Sequence, residues 1–269
     1  MTTSASASAT FTGPAYYDDC LGPVLLEPFA ADLARRLPEH PSGDVLEIAC
    51  GTGRVTRRLR EHLSPSVRLV ATDVSRAMLD FAKAKLSARH DIEWREADAM
   101  KLPFEDSEFA AVVCGFGIMF VPDRHAALKE ARRVLKAGGI ILFNVWDDIK
   151  QNRHALATSD VLEALFPGDP EVSYRVPYEM GDPGPLREFL VAAGFGQVRI
   201  ETKRIPIVGA DPRSIATGQI RGTGRATLIE RRGVSLDAVI DKVAGALAIA
   251  GGNPYNGHAQ AVIVTGLAI

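Results

Sequence analysis

The sequence is short of cysteine, of net charge and of long apolar runs, and each shortage closes a class of function. Its three cysteines, Cys20, Cys50 and Cys114, are an odd number with no C-x-x-C pair. That argues against a disulfide framework and against a thiolate zinc site. With 31 basic residues against 33 acidic ones, the formal charge is -2, which leaves no electrostatic footprint for nucleic acid. The basic cluster Arg57, Arg58 and Arg60 reads as the solvated face of a helix rather than a phosphate track. No apolar run approaches the ~18 residues of a membrane span. The stretch from Met1 to Thr10 is rich in Ser, Ala and Thr and has neither the basic nor the apolar region of a signal peptide. No H-E-x-x-H motif occurs, and no metal site is expected. These readings predict a soluble, cytoplasmic protein with no nucleic-acid and no membrane partner.

What is present is a chain able to build a core. Of its 269 residues, 46% are hydrophobic, and the mean hydropathy is near zero, as in globular proteins. The length suits one generous α/β domain, or a core domain with a cap. Residues 1–12 are expected to be a disordered tail, since Ser, Ala and Thr there have nothing to bury. From Tyr16 to Leu37 the apolar residues Leu25, Leu26, Phe29, Ala30, Leu33 and Leu37 fall at helical spacing, and Pro38 and Pro41 end that segment.

An alternation of short apolar runs and amphipathic stretches follows. Val45–Cys50, Val67–Thr72, Ile92–Glu96, Ala110–Phe116 and Ile140–Val145 read as strands. Arg54–Leu63 reads as a helix with Val55, Leu59 and Leu63 inward. A second helix runs from an N-cap at Ser75 to Leu86. A third is capped by Asp123, buries Ala127, Leu128, Ala131, Val134 and Leu135, and is stopped by Gly138-Gly139. Strands separated by such helices imply parallel β-α-β units covered on both faces. After Trp146 come a helix over Ala155–Phe166, a loop rich in Pro and Gly, a helix over Pro185–Ala193, a strand over Val198–Ile207, a mostly helical 211–250 and a terminal strand over Ala261–Leu267.

The motif with the most chemistry is Val45-Leu-Glu-Ile-Ala-Cys-Gly-Thr-Gly53, a strand entering a glycine turn that opens a helix. Glycine permits positive φ and close approach of a ligand to the backbone, and the helix start beyond supplies free N–H groups. A dinucleotide fingerprint would place a third glycine where Thr56 stands, which weakens a pyrophosphate reading. Asp73 ends the second strand about twenty residues on, where a carboxylate accepts both ribose hydroxyls of an adenosyl group; the alternative is a turn residue before Ser75. Asp98-Ala99 follows the third strand and suits an adenine edge, the alternative again being a plain turn. Met78 suits either an adenine face or the core. Gly222-Thr-Gly224 and Gly194-Phe-Gly196 read as turns.

Taken together, VLEIACGTG (45–53), ATDVSRAML (71–79), READAMKLPFEDSEFAAVVCGFGIMFVPD (95–123), ALKEARRVLKAGG (127–139) and PLREFLVAAGFGQV (185–198) resemble the class I S-adenosylmethionine-dependent methyltransferases. The resemblance is to the small-molecule branch that includes ubiquinone and menaquinone biosynthesis enzymes. It implies an α/β fold: a Rossmann-like, mostly parallel sheet of about seven strands with helices on both faces, an N-terminal lid and an inserted helical cap. The implied organisation is a lid at 13–43, a cofactor-binding core at 44–146, a cap at 147–184, and 185–269 as the rest of the same domain. The resemblance gives Glu47, Ala49 and Gly51 the methionine end of the cofactor, Asp73 and the adjoining Val74 the ribose, and Asp98 and Ala99 the adenine, beside Met78. It places Cys114 and Phe116 by the methionine and methyl group, and Tyr17 as an aromatic closing over the cofactor. Many relatives carry glutamine after the fourth-strand Cys, where this chain has Gly115.

The implied activity is methyl transfer from S-adenosylmethionine to a small-molecule acceptor, releasing S-adenosylhomocysteine. Alignment and exclusion of water are then the protein's main tasks, alignment alone being worth ~7–11 kcal/mol. No DPPY or NPPY run for amide or exocyclic-amine methylation is present. No catalytic residue follows from the sequence; the six histidines read mostly as surface residues, with His125 after the fourth strand near the implied site and His154 in the cap standing out but earning no catalytic role. Two alternatives stay open: a methyltransferase-like protein that binds the cofactor without turnover, and a nicotinamide-dependent oxidoreductase.

Overall fold

In the computed structural model, residues 13–89 and 91–269 are described; the tail expected at 1–12 lies outside them. Seven strands form one sheet: β1 (Val45–Glu47), β2 (Leu69–Asp73), β3 (Ile92–Glu96), β4 (Phe109–Gly115), β5 (Leu135–Trp146), β6 (Phe195–Ala210) and β7 (Tyr255–Ala268). Their order is β3-β2-β1-β4-β5-β7-β6. β7 runs antiparallel to both β5 and β6, and the pairings from β3 to β5 are parallel. Every residue of β1 and β2 is buried, as are the first six of β4. Consecutive burial without alternation is what a parallel sheet covered on both faces requires. At the open edge, β6 instead carries Arg199, Glu201, Lys203 and Arg204, charges that discourage pairing with another chain.

The connecting helices are α3 (Arg54–His62), α4 (Arg76–Lys85), α5 (Arg124–Val134) and α7 (Pro183–Ala192). Their starts are set locally. Ser75 Oγ accepts from the Met78 N–H, Asp123 from Ala126 and Asp182 from Gly184, each satisfying a donor that the helix start leaves open. Helix α5 ends earlier than its apolar spacing suggests. Leu135 already pairs with Phe109, and the glycines at 138 and 139 occupy an irregularity before Ile140 joins Ala111.

The N-terminal segment is helical but not uniformly α. A short α1 (Pro14–Tyr16) leads into a π-helix (Tyr17–Leu26) and then α2 (Glu27–Arg35). Pro23 lies inside the π stretch and has no N–H to give; the Glu27 N–H reaches back five residues to the Gly22 carbonyl. Widening the turn accommodates a proline that would break an α-helix. Phe29 and Leu33 of α2 are fully buried, and α2 packs on α3, β4 and β5.

A helical layer is built from two parts of the sequence. Helix α6 (Arg153–Leu165) follows β5, while α8 (Pro212–Arg221), α9 (Arg225–Arg231) and α10 (Leu236–Gly251) lie between β6 and β7. Helix α10 packs on both α6 and α8, and Thr158 of α6 donates to Gln219 of α8 at 2.6 Å.

One surface expectation is corrected. Arg60 does not belong to a solvated face. It is buried, gives its guanidinium to the carbonyls of Val67 and Leu63 at 2.8 and 3.1 Å, and pairs with Asp91. Arg57 and Arg58 converge on Glu27 of α2.

Candidate active site

The strand order reverses between β1 and β4, and in open α/β sheets ligands lie outside the carboxyl ends of the strands at such a switch point. The turns that leave β1 and β4 both depart from ordinary backbone geometry. Ala49 has φ +53° and Phe116 φ +54°, a region that costs a residue with a Cβ of order 1–3 kcal/mol and clusters at functional sites. The Phe116 N–H is held from below by Asn144 of β5, whose Oδ1 accepts it at 2.9 Å. Asn144 is fully buried, and its Nδ2 has no partner.

Three acidic side chains stand at or near the ends of three adjacent strands. Glu47 closes β1 and is buried, with Oε2 unpartnered. Burial pushes its carboxyl up to about 8, Asp73 adding to the rise while the Thr56 hydroxyl and N–H oppose it. Asp73 closes β2; its Oδ2 accepts from the Gly51 N–H and its Oδ1 from the Ser75 N–H, both at 2.8 Å. Burial raises the Asp73 pKa as well, against the pull of those backbone donors. Asp98 follows β3, is exposed, and accepts from the Met100 N–H at 2.8 Å. Ala99 beside it is half-buried against the core.

Between these groups the glycine turn is open. Gly51 has φ +54°, and a Cβ added there would meet nothing within 4 Å. The glycine is thus favoured by its backbone angle and faces free space rather than a packed neighbour. Gly53, with φ +78°, is close against Ala82, Leu86 and Trp94. Val74 leaves its side chain 63% exposed next to Asp73, whereas Met78 in the first turn of α4 is buried.

The sequence-derived residues fall in two groups. Glu47, Asp73 and Cys114 lie near enough that the carboxyls raise the Cys114 thiol pKa, as they raise that of Cys50, which was not expected at the site; burial is the larger cause for both. The Cys114 thiol is pushed up to about 12, with the backbone of Gly117 and Ile118 bonding to it and opposing the rise. Tyr17, from the π-helix, is half-buried; its pKa is raised by burial, with Tyr174, Arg54, Asp18 and Asp73 around it. Asp98 and Ala99 stand in the turn after β3, where Asp98 bridges to Lys101. His125 lies in the first turn of α5.

Gly115 has a packing reason. A Cβ there would meet Val55 Cγ2 at 2.6 Å, so the position that carries glutamine in many relatives is filled by α3 in this chain.

Sequence reasoning did not find the wall above the crevice. Phe116 stacks on Trp146 with centroids 4.0 Å apart and planes at 20°. Trp146 in turn stacks on Tyr178 at 5.9 Å and 22°, and Tyr178 is 6.1 Å from Tyr174. Phe29 of α2 meets both Phe116 and Trp146 edge-on. These residues come from four separate segments, so no local spacing marks them.

Residues 45–139 match the family model described as a methyltransferase domain. A demethylmenaquinone methyltransferase of Lactococcus lactis is 40% identical over 114 residues, 42% of this chain and 45% of the relative. The alignment thus spans under half the length of that relative. Among solved structures, the YcgJ protein of Bacillus subtilis superposes with a TM-score of 0.59 at 16% identity, covering 90% of this chain and 98% of the other. Phosphoethanolamine N-methyltransferase 2 of Haemonchus contortus, solved with phosphomonomethylethanolamine and S-adenosylhomocysteine, superposes with a TM-score of 0.60 at 16% identity, covering 95% of this chain and 57% of the other.

The fold is the class I methyltransferase fold. Its strand-end crevice is where Glu47, Gly51 and Asp73 meet. Within the methyltransferase match, Val45 to Gly139, lie all the carboxylates of the crevice and Phe116. The aromatic partners Trp146, Tyr174 and Tyr178 lie beyond it. No group of three metal-ligating side chains occurs among the described residues, and no helix among them is long and apolar enough to cross a membrane.

Proposed function

We propose that the protein is an S-adenosylmethionine-dependent methyltransferase acting on a small-molecule acceptor. The observation that carries this reading is the pair formed by the open Gly51 cradle and the unpartnered, buried Glu47 oxygen beside it. A buried carboxyl oxygen left unpaired is costly, and a cofactor bearing an ammonium group would satisfy it. Glu47, Ala49 and Gly51 would hold the amino-acid end, Asp73 with Val74 the ribose, and Asp98, Ala99 and Met78 the adenine. S-adenosylmethionine supplies, when bound, a methyl group already activated on a sulfonium. The chain's own residues then bind, orient and exclude water. Cys114 and Phe116 border the methyl position, and Asn144 fixes the backbone there. Tyr17 covers the crevice as part of an N-terminal lid.

The family match and the fold likeness support the reading, as do curated relatives named for methyl transfer to demethylmenaquinone. Three free cysteines suit a reducing, cytoplasmic setting. The test is thermal unfolding with S-adenosylhomocysteine, S-adenosylmethionine and NAD. Binding to the native state alone raises the melting temperature by mass action. A rise with the first two ligands and none with NAD is expected; a rise with NAD alone would remove the reading.

A further inference from the structure

A second concavity, of about 500 Å3, opens where the chain leaves β5. That volume suits a small ligand. Four carboxylates line it: Asp147 and Asp148 directly after the strand, Glu179 and Asp182 from the segment leading into α7. None of the four forms an ion pair with another described residue. Arg175, the cation on the same wall, is spent on Glu163 at 2.5 Å and Asp160 at 3.9 Å. Elsewhere the chain pairs its acids readily, Asp18 with Arg54 and Lys85, Asp32 with Arg36 and Lys203. The unpaired acids are also held in place. Asp147 accepts from Gln260 Nε2 at 2.7 Å, and Arg204 fixes that glutamine from its other side at 2.8 Å. Asp148 accepts from the Lys150 N–H at 2.7 Å and Asp182 from that of Gly184 at 2.9 Å. A carboxylate has about four acceptor sites, so each keeps lone pairs to spare.

Acids alone would make only a solvated rim; Tyr178 makes a site. It is 7% exposed, yet its hydroxyl bonds to no described residue and is not sealed from solvent. The hydroxyl therefore opens on the cavity that the residue lines. Its ring is fixed by stacking on Trp146. Nearly all buried polar groups in folded proteins are paired, and this one stands where a ligand's donor would complete it. Sign and spacing then select the ligand. A metal ion does not suit the cavity, because no three ligating side chains among the described residues converge closely enough to hold one. Acids spread around a cavity call for positive charge spread along a chain. An ammonium group has three donors and no acceptor, as carboxylates and a phenol oxygen require, and buried Ile149 offers apolar surface to the methylenes between such groups. A phosphate-bearing ligand would be repelled.

We propose that this cavity binds an aliphatic polyamine, whose ammonium groups pair with Asp147, Asp148, Glu179 and Asp182 while one of them donates to the Tyr178 hydroxyl oxygen. None of these residues is among those proposed to hold S-adenosylmethionine, so the site stands or falls independently of the methyltransferase reading.

The probe is spermidine, titrated by calorimetry into the full chain at an ionic strength of about 0.15 M, where loose surface attraction is largely screened. Saturable binding of one spermidine per chain is expected, with putrescine weaker and neither 1,4-butanediol nor magnesium chloride bound. Asp148 and Glu179 are exposed, so Asp148→Asn with Glu179→Gln leaves the core untouched; it should weaken spermidine at least roughly tenfold. Tyr178→Phe keeps the stacked ring and removes only the oxygen, and should weaken binding several-fold, a loss that diffuse acidity does not produce. Asp237→Asn, on α10, should change nothing. No saturable binding, magnesium binding as tightly as spermidine, or wild-type affinity in either the acid variant or Tyr178→Phe would overturn the proposal.

Discussion

Asp18 in the first turn of the π-helix and Arg54 at the start of α3 form an ion pair at 2.9 Å, both side chains nearly withdrawn from solvent. The Thr52 hydroxyl donates to the same Asp18 carboxylate at 2.8 Å, and Lys85 of α4 pairs with it as well. The segment that carries Tyr17 is thereby fastened to the glycine turn by a buried charge. The proposed lid would therefore not swing independently of the glycine turn, since lifting this segment uncovers Arg54.

Asp18→Ala leaves that guanidinium buried with Glu27 as its one carboxylate partner and the carbonyl of residue 18 as its backbone acceptor. Breaking a buried pair by removing one partner costs about 3–5 kcal/mol, and urea unfolding should show a loss of that order. S-adenosylhomocysteine affinity should fall as well, because Thr52 loses its anchor. Unchanged stability would mean that the segment and the turn are not coupled.

Asp73→Ala is expected to act twice. The carboxylate is bonded to the Gly51 and Ser75 N–H groups and is the proposed ribose acceptor. Hydrogen bonds to charged groups are worth about 1.5–3 kcal/mol, so calorimetry should show cofactor affinity reduced by at least roughly tenfold. The melting temperature of the ligand-free protein should drop too. A variant with full stability and lost affinity would show that the backbone contacts contribute little.

Glu47 makes stability depend on pH in a defined direction. Unfolded, it ionises near 4.5; folded, burial raises this to about 8. Between those values the native state keeps a proton that the unfolded state has released, so this group's contribution is fully present below 4.5 and is lost as pH rises through 8. The slope is about 1.4 kcal/mol per unit. Glu47→Gln has no such proton, and its ligand-free stability relative to wild type should climb with pH across that window. An ammonium group bound beside Glu47 favours the ionised carboxylate, so calorimetry near pH 7 in buffers of different ionisation enthalpy should detect proton release on S-adenosylhomocysteine binding. Parallel stability curves for the two proteins would show that Glu47 is ionised in the fold.

Gly115→Ala should destabilise by about 1–3 kcal/mol through overpacking, since the new methyl falls on Val55. Combining it with Val55→Ala should recover much of the loss in chemical denaturation. Equal losses in the single and double variants would place the strain elsewhere.

The legible parts of this protein are those specified over a few neighbouring residues. The apolar runs gave the parallel strands; Ser75 and Asp123 announced two helix starts; the glycines marked the turn that the fold sets at the switch point. Arg60 was misjudged because its solvent-facing spacing says nothing of the carbonyls of Leu63 and Val67 that close over it. The π-helix was missed because apolar residues at helical spacing look the same when Pro23 widens the turn. The wall of Trp146, Tyr174 and Tyr178, the Asn144 support under Phe116 and the Asp18–Arg54 pair are meetings of distant segments, which spacing does not encode. His154 stood out in sequence only as a cap histidine; its full burial in α6 is a property of the folded interior.

The position of β7 bears on how the protein reaches this state. The last strand in sequence lies inside the sheet, between β5 and β6, so β6 has no partner until residues 255–268 have been synthesised. Its apolar inner positions, and the edge of β5, stay uncovered on the ribosome while α8, α9 and α10 emerge. Such exposed edges invite intermolecular pairing. The charged residues along β6 therefore protect a nascent chain as well as a finished one, and slow synthesis across 211–254 lengthens the period in which a chaperone is of use.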